Sequence, residues 1–274
     1  MAEDSEVRNE SFWNELARLH FDSTYYDVVS FRQTRCSLRD LELSELGPIR
    51  GRSILHLQCH FGMDTLSLAH LGANACGVDF SSEGIRLAMA LGSELSIPAR
   101  FICANVHDLD ACLSEEFDII FCSYGILAWL GGLRRWAQTI ARHLKKGGFF
   151  YIVDEHPFAR TFVNPGTDNQ SLYTGQFFDY WEALEPTIAS YKHSYADTER
   201  PLANSTQYIW RHSLSELLNA FASAGLMLEF LHEFDKTFYR MFVEMRQEES
   251  GWWVLNKHRN GLPLMFSLKA IKPA

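Results

Sequence analysis

The stretch ILHLQCHFGMDTLSLA, residues 54–69, carries the first residues whose types and spacing suit chemistry. An apolar run gives way to Gln58, Cys59, His60, Phe61 and Gly62 and then to helical spacing, so it reads as strand, loop and helix. In an open parallel sheet that loop lies at the carboxyl end of a strand, where ligands bind. Its one glycine, Gly62, supplies a positive φ or a close backbone approach at the helix entrance. Side chains at Gln58 and His60 disfavour a pyrophosphate lying flat on the backbone, as it does over G-x-G-x-x-G, and suit a ligand that brings a carboxylate and an amine. Asp79 follows Gly62 by 17 residues at the end of the next apolar run, ACGVDFS, placed to accept both hydroxyls of a ribose. A second polar cluster, VDEHP, ends a later run. There Glu155 or His156 could take a proton from an amine or hydroxyl, or Pro157 simply ends the strand and the acids are solvated.

These residues need a sheet to position them. Apolar runs at 53–57, 75–79, 99–103, 117–122 and 149–153 alternate with helical segments, the βαβ repetition of a parallel sheet with helices on both faces. Between the last two runs, LRRWAQTIARHLKKGG spaces Leu133, Trp136, Ala137, Ile140, Ala141 and Leu144 on one helical face, with Lys145, Lys146 and Gly147 as stop signals. Another helix starts at Ser213, where SLSE forms a capping box with Glu216, and LMLEFLHEF and PLMFSLKAIK read as the final pair of strands. At the other end, residues 1–10 read as disordered, followed by a short helix with Phe12, Leu16 and Leu19 on one face. Residues 156–212 are too long for a simple connection and rich in aromatics, among them Phe177, Phe178, Tyr180, Trp181, Tyr191 and Tyr195. The expected division is a cap segment at 1–50, a core at 51–155, an insert or lid at 156–212 and the rest of the core at 213–274.

The ordered landmarks resemble the class I S-adenosylmethionine-dependent methyltransferases, whose first motif, LDLGCGTG, is followed position for position by LHLQCHFG. His56, Gln58 and His60 stand where that motif has an acid and its first two glycines. GVDFS, ANVHDL, FDIIFCSYGILAWL and HLKKGGFFYIV agree in order and spacing, and HLQCHFGMDTLSLAHLGA looks like a bacterial subgroup acting on small molecules. The resemblance implies a Rossmann-like α/β fold: a seven-stranded, mostly parallel sheet with its last strand antiparallel, a helical N-terminal cap and the aromatic insert after strand five. It implies S-adenosylmethionine as cofactor, with S-adenosylhomocysteine as product. Gln58, Cys59, His60 and Gly62 would line the methionine end, Asp79 the ribose, and Phe80, Asn105 and Val106 the adenine. Cys122, Ser123 and Tyr124 would form the wall beneath the sulfonium, and Tyr25 or Tyr26 would close over the cofactor. Tyr180 and Trp181 are the expected substrate residues, Glu155 or His156 the expected base.

Composition narrows the alternatives. A net charge of −9 and no basic run disfavour nucleic acid or an anionic membrane as the main partner, and CSYG after strand four lacks the Asn/Asp-Pro-Pro-Tyr of nucleobase methyltransferases. The six cysteines and eleven histidines show no CxxC, HxH or HExxH spacing, so no metal is expected. No apolar stretch approaches the roughly 20 residues of a membrane span, and the polar, acidic start is unlike a secretory signal, so the expected address is the cytoplasm. In the methyltransferase reading the expected methyl acceptor is a small molecule; a dinucleotide-dependent oxidoreductase and a non-catalytic cofactor-binding protein are the competing readings.

Overall fold

Runs of β-branched and aromatic residues that can bury both faces become the central strands. In the computed structural model, which describes residues 2–163, 171–173, 179–181, 185–257 and 261–274, they form β1 (Ser53–Leu57), β2 (Asn74–Asp79), β3 (Arg100–Cys103), β4 (Phe117–Ser123) and β5 (Leu144–Glu155). The insert carries β6 (Thr187–Ser190), β7 (His193–Ser194), β8 (Asp197–Pro201) and β9 (Thr206–Ile209); then come β10 (Met227–Phe234), β11 (Lys236–Thr237), β12 (Met245–Gln247), β13 (Trp253–Leu255) and β14 (Met265–Ile271). The main sheet has the order β10-β14-β5-β4-β1-β2-β3. β1 to β5 pair in parallel, and β14 runs antiparallel to both β5 and β10. Strand order therefore reverses between β1 and β4, the crevice where an open α/β sheet receives ligands.

Helices follow in chain order: α1 (Ala2–Phe21), α2 (Val28–Thr34), α3 (Asp40–Leu46), α4 (Met63–His70), α5 (Ser82–Leu95), α6 (Leu133–His143), α7 (Pro157–Arg160) and α8 (Leu214–Ser223). Two core layers use the strand alternation. Leu55, Leu57, Ile120 and Phe150 pack with Trp136 of α6 and Phe221 of α8 on one face, while Ile54, Phe121 and Tyr151 pack with Leu66 of α4 and Leu91 of α5 on the other. Burying each such side chain contributes about 1.5–3 kcal/mol, and the sheet is fixed from both sides. Ser213 caps α8 as its sequence demands, its Oγ accepting the Glu216 amide. No helix among the described residues is long and apolar enough to cross a membrane.

Three expectations are corrected. Residues 2–10 belong to α1, whose polar face meets backbone groups of other elements, so hydrophobic spacing alone understated its length. Residues 28–49 are more than a cap, since Val28, Phe31, Leu46 and Ile49 are buried in the second core layer. Helix α6 stops at His143, because Leu144 already pairs with Phe117 in the sheet, and Gly147 takes its left-handed φ of 74° within β5 rather than as a helix cap. Phe177 and Phe178 lie outside the described residues.

Candidate functional site

The loop after β1 alternates into the left-handed region at Gln58 (φ 56°), His60 (φ 53°) and Gly62 (φ 80°). Only at Gly62 does packing also demand the missing side chain, since a Cβ there would sit 2.7 Å from Ala88 Cβ and 2.7 Å from the Phe101 ring. Gln58 and His60 hold the same backbone at a strain of about 1–3 kcal/mol each. Hydrogen bonds retain it: the Cys59 amide donates to Val78 O at 2.9 Å, the Gly62 amide to Cys59 O at 2.9 Å and the His60 amide to Asp79 Oδ2 at 2.8 Å. The other Asp79 oxygen, Oδ1, accepts the Ser81 amide at 2.8 Å. Burial pushes the Asp79 carboxyl up to about 6 against these amide bonds. Each carboxylate oxygen keeps a lone pair for another donor.

Beyond the ends of β1, β2 and β3 opens a cleft of about 480 Å³ of empty space, lined by Asn9, Gln58, Val78, Asp79, Phe80, Ala104, Asn105, Val106, His107, Trp129 and Leu130. The sequence-predicted residues Gln58, Asp79, Phe80, Asn105 and Val106 are brought together here. Gln58 Oε1 is buried with no hydrogen-bond partner among the described residues, an acceptor that a ligand donor would satisfy. Asn105 caps the 3₁₀ turn Val106–Ala111, its Oδ1 accepting the His107 amide at 2.9 Å. Asn9 was not foreseen. Its amide group bonds both ways with the Tyr208 backbone, at 2.9 and 3.0 Å, and so joins α1 to β9 across the cleft; nothing in a polar run distinguishes it from solvated neighbours. Asn14 Oδ1 accepts the Glu83 amide and the Ser81 hydroxyl, and Glu15 accepts the Ala203 and Asn204 amides, which completes the roof.

Other expected cofactor residues point elsewhere. His60 lies among Trp13, Tyr26 and Phe61, its Nε2 3.0 Å from His20 Nδ1, whose other nitrogen is 2.7 Å from Ser194 Oγ. Burial holds His60 down to about 3, and burial plus the neighbouring His60 holds His20 well below its usual value, so both rings are neutral at pH 7. Cys59 is buried, with Gly77 leaving room for its sulfur. Cys122 lies in the first core layer. Ser123 donates to Asp64 Oδ2 at 2.7 Å, and Tyr124, at φ 48°, donates to the buried Glu42, which burial pushes up to about 7. These three do not line either cleft, because β4 alternation buries Cys122 and the left-handed turn sends Tyr124 toward α3. Tyr25 packs edge-on against Tyr26 and Tyr195, and the Tyr26 and Tyr195 hydroxyls meet at 2.5 Å, linking the N-terminal segment to the insert.

A second cleft, of about 610 Å³, lies beyond β4 and β5 and is lined by Gly125, Leu127, Ala128, Asp154, Glu155, Pro157, Arg160, Thr161, Val163, Asp179, Tyr180, Ile209, Trp210, Arg211 and His212. The 3₁₀ turn Leu127–Trp129 is the wall between the clefts, Trp129 facing one and Leu127 and Ala128 the other. Asp154 fixes that wall: its carboxylate accepts the amides of Gly125, Ile126, Leu127 and Glu155 at 2.5–3.1 Å. Glu155 Oε2 accepts Arg160 Nη1 at 2.6 Å. The structure places His156, the other expected base, as the cap of α7: its Nδ1 accepts the Phe158 amide at 3.0 Å and its Nε2 meets Glu233 at 2.8 Å, so both ring nitrogens are engaged within the fold. Tyr180 lines the cleft and its hydroxyl accepts the Leu214 amide at 3.3 Å. Trp181 is 68% exposed and outside it.

Fold and clefts together define an open seven-stranded sheet with a ligand crevice at its carboxyl edge, and residues 54–148 match the family model described as a methyltransferase domain. The ubiquinone biosynthesis O-methyltransferase of Bordetella avium is 23% identical over 124 residues, covering 44% of this chain and 51% of that one. The chain thus spans about half the length of that curated relative. Among solved structures, an S-adenosylmethionine-dependent methyltransferase from Clostridium acetobutylicum superposes with a TM-score of 0.58 at 13% identity, covering 96% of this chain and 99% of that one. Magnesium protoporphyrin IX methyltransferase from Synechocystis with bound S-adenosylhomocysteine gives a TM-score of 0.56 at 13% identity, over 98% and 99% of the two chains. That likeness is one of fold, and it includes the seven-stranded architecture read from the sequence.

Proposed function

We propose that the protein transfers a methyl group from S-adenosylmethionine to a small-molecule acceptor. The observation that carries this reading is the first cleft, where Asp79 and the unpartnered Gln58 Oε1 flank one crevice beyond β1 and β2, within the segment that matches the methyltransferase domain. Asp79 would accept the ribose hydroxyls through its remaining lone pairs, and Gln58 Oε1 would accept the α-amino group. Phe80 and Val106 would sandwich the adenine, with Asn105 beside it. When bound, the cofactor supplies an activated methyl group on a sulfonium. The chain's own work is then to position the acceptor, exclude water beneath the roof of α1, and take a proton at Glu155 where the acceptor carries one.

The dinucleotide reading is disfavoured by the strand order. β14 enters antiparallel between β5 and β10, so the sheet lacks the second parallel half of a dinucleotide fold. Thermal unfolding with saturating S-adenosylhomocysteine and, separately, NAD tests the proposal. A rise in midpoint with the former alone is expected, since a ligand that binds only the folded state stabilises it, and a shift with NAD alone overturns it.

A further inference from the structure

We infer that Ser194 and His20 are positioning residues for the cofactor: a hydrogen-bond relay from the insert through α1 to His60 holds the left-handed loop after β1 in its ligand-binding shape. The inference rests on the methyl-transfer reading and adds that a residue of the insert sets part of the cofactor affinity.

Three elements distant in sequence supply one link each. Ser194 lies in β7 of the insert, His20 in the last turn of α1 and His60 in the loop, and the first two are buried. Proton accounting gives the relay a direction. Ser194 Oγ accepts the Ala196 amide at 3.1 Å and lies 2.7 Å from His20 Nε2, the one acceptor among the described residues within reach of its own hydroxyl hydrogen. Both imidazoles are neutral, so each carries a single N–H. With Nε2 accepting, His20 bears its hydrogen on Nδ1 and donates it to His60 Nε2 at 3.0 Å. The opposite tautomers would leave the Ser194 hydroxyl hydrogen buried without an acceptor.

His60 needs such a tie because it holds φ 53° without being glycine, a conformation that persists only where the surroundings impose it. On the sheet side the loop is held through the Cys59, His60 and Gly62 amides. On the other side Trp13, Tyr26 and Phe61 pack around the imidazole, which confines the ring without choosing the edge it presents to a partner. Its Nδ1 is buried with no hydrogen-bond partner among the described residues, so the Nε2 bond to His20 is the polar tie of the side chain. Displacing His60 reaches both groups proposed to hold the ligand, since Asp79 accepts the His60 amide and Gln58 presents its unpartnered Oε1 from the same loop. Affinity then falls in proportion to the fraction of molecules whose loop keeps the binding shape.

The test uses the full chain and S-adenosylhomocysteine, titrated calorimetrically. Ser194→Ala is expected to weaken binding about fivefold. Tyr195→Phe, at the next residue, removes the hydroxyl that meets Tyr26 but spares the relay, and should keep affinity within about twofold of the parent. His60→Gly supplies the second background, in which the backbone takes the left-handed turn without strain and no imidazole remains. There Ser194→Ala should change affinity by less than about twofold. Linkage requires the converse effect: S-adenosylhomocysteine should slow hydrogen exchange of the Ala196 amide, bonded to Ser194 Oγ, in the parent and not in His60→Gly. This exchange comparison decides the matter if Ser194→Ala does not fold. The inference is overturned if Ser194→Ala binds as tightly as the parent, if its effect is equal in the two backgrounds, or if the slowing is absent from the parent or persists in His60→Gly. Product that fails to bind the parent sinks the methyl-transfer reading itself, whereas binding with additive substitutions sinks the relay alone.

Discussion

Asp79 Oδ2 accepts the backbone amide of His60 at 2.8 Å, so the residue that faces the first cleft also holds the left-handed loop above it. Ligand affinity and loop geometry thus depend on one carboxylate.

Asp79→Asn keeps one acceptor oxygen and the side-chain shape while losing the charge. Affinity for S-adenosylhomocysteine is expected to weaken by about 1.5–3 kcal/mol, the scale of hydrogen bonds to a charged group. Because burial raises the Asp79 carboxyl to about 6, and ribose hydroxyls prefer the ionised form, parental affinity should fall as pH drops below 6. The Asn variant should lack that fall. Calorimetric titration at pH 7.5 and 5.5 checks both statements, and unchanged affinity in a folded variant removes Asp79 from the ribose site.

At Gln58 the usual ranking of alanine over glycine should invert. With φ at 56° a Cβ is strained by about 1–2 kcal/mol, so Gln58→Gly is expected to be more stable than Gln58→Ala by about 1 kcal/mol, although both lose the side chain. Urea unfolding of the pair decides it, and equal midpoints would mean that the loop relaxes out of the left-handed region.

Much of this arrangement is legible in the sequence because it follows from strand ends. Gln58, Asp79, Phe80 and Asn105 each sit at or just past an apolar run, and parallel pairing forces those ends to one edge. What depends on dihedral angles is not written in residue types: nothing in CSYG announces that Tyr124 takes φ 48° and swings to Glu42. Polar docking is equally silent. Asn9, Asn14 and Glu15 attach α1 to backbone groups of β9, α5 and the insert, so their helix face shows no hydrophobic period and looks like solvated chain. The cap made by His156 is silent for the same reason, since a histidine before a proline does not announce which groups its two nitrogens will meet.

The neutral His60 carries a pH signature. Its folded pKa, about 3, lies below the unfolded value near 6.5, so between these the unfolded chain binds the extra proton and stability attributable to His60 is lost as pH falls. Glu42 and Asp79, raised to about 7 and about 6 by burial, act in the opposite direction, which masks the effect in the parent's total stability. The difference between parent and His60→Asn isolates it. Asn tolerates φ 53° and does not titrate, so the variant should gain on the parent by about 1.4 kcal/mol per pH unit from 6.5 toward 4. Chemical denaturation across that range is the measurement, and a constant difference would show His60 already protonated in the fold.

Glu155 and His156 adjoin in sequence and should separate in kinetics. Glu155→Gln, which keeps an acceptor for Arg160 but abolishes basicity, is expected to lower turnover of a proton-bearing acceptor by about 10²–10⁴-fold with cofactor affinity retained. His156→Gln should leave turnover near that of the parent and cost about 1 kcal/mol of stability, the usual price of a lost helix cap. Equal turnover losses in the two folded variants would restore His156 as a base.

The two aromatic residues expected to hold substrate should also part. Tyr180 lines the second cleft and its hydroxyl is tied to the first turn of α8, whereas Trp181, 68% exposed, touches Tyr180 edge-on from outside with ring centroids 5.1 Å apart. Tyr180→Ala removes a wall of the cleft and an acceptor for the Leu214 amide, so the acceptor KM should rise about tenfold, the order expected for loss of one packed aromatic surface and its hydrogen bond. Tyr180→Phe keeps the wall and should recover most of that loss. Trp181→Ala removes only exposed surface and should leave KM, turnover and S-adenosylhomocysteine affinity near parental values, because substitutions away from buried contacts usually stay within about 0.5 kcal/mol. Steady-state kinetics of the three variants with a turned-over acceptor, alongside product titration, gives the comparison. If Trp181→Ala raises KM as much as Tyr180→Ala does, the acceptor extends over the outer face of the insert, and the second cleft holds only part of it.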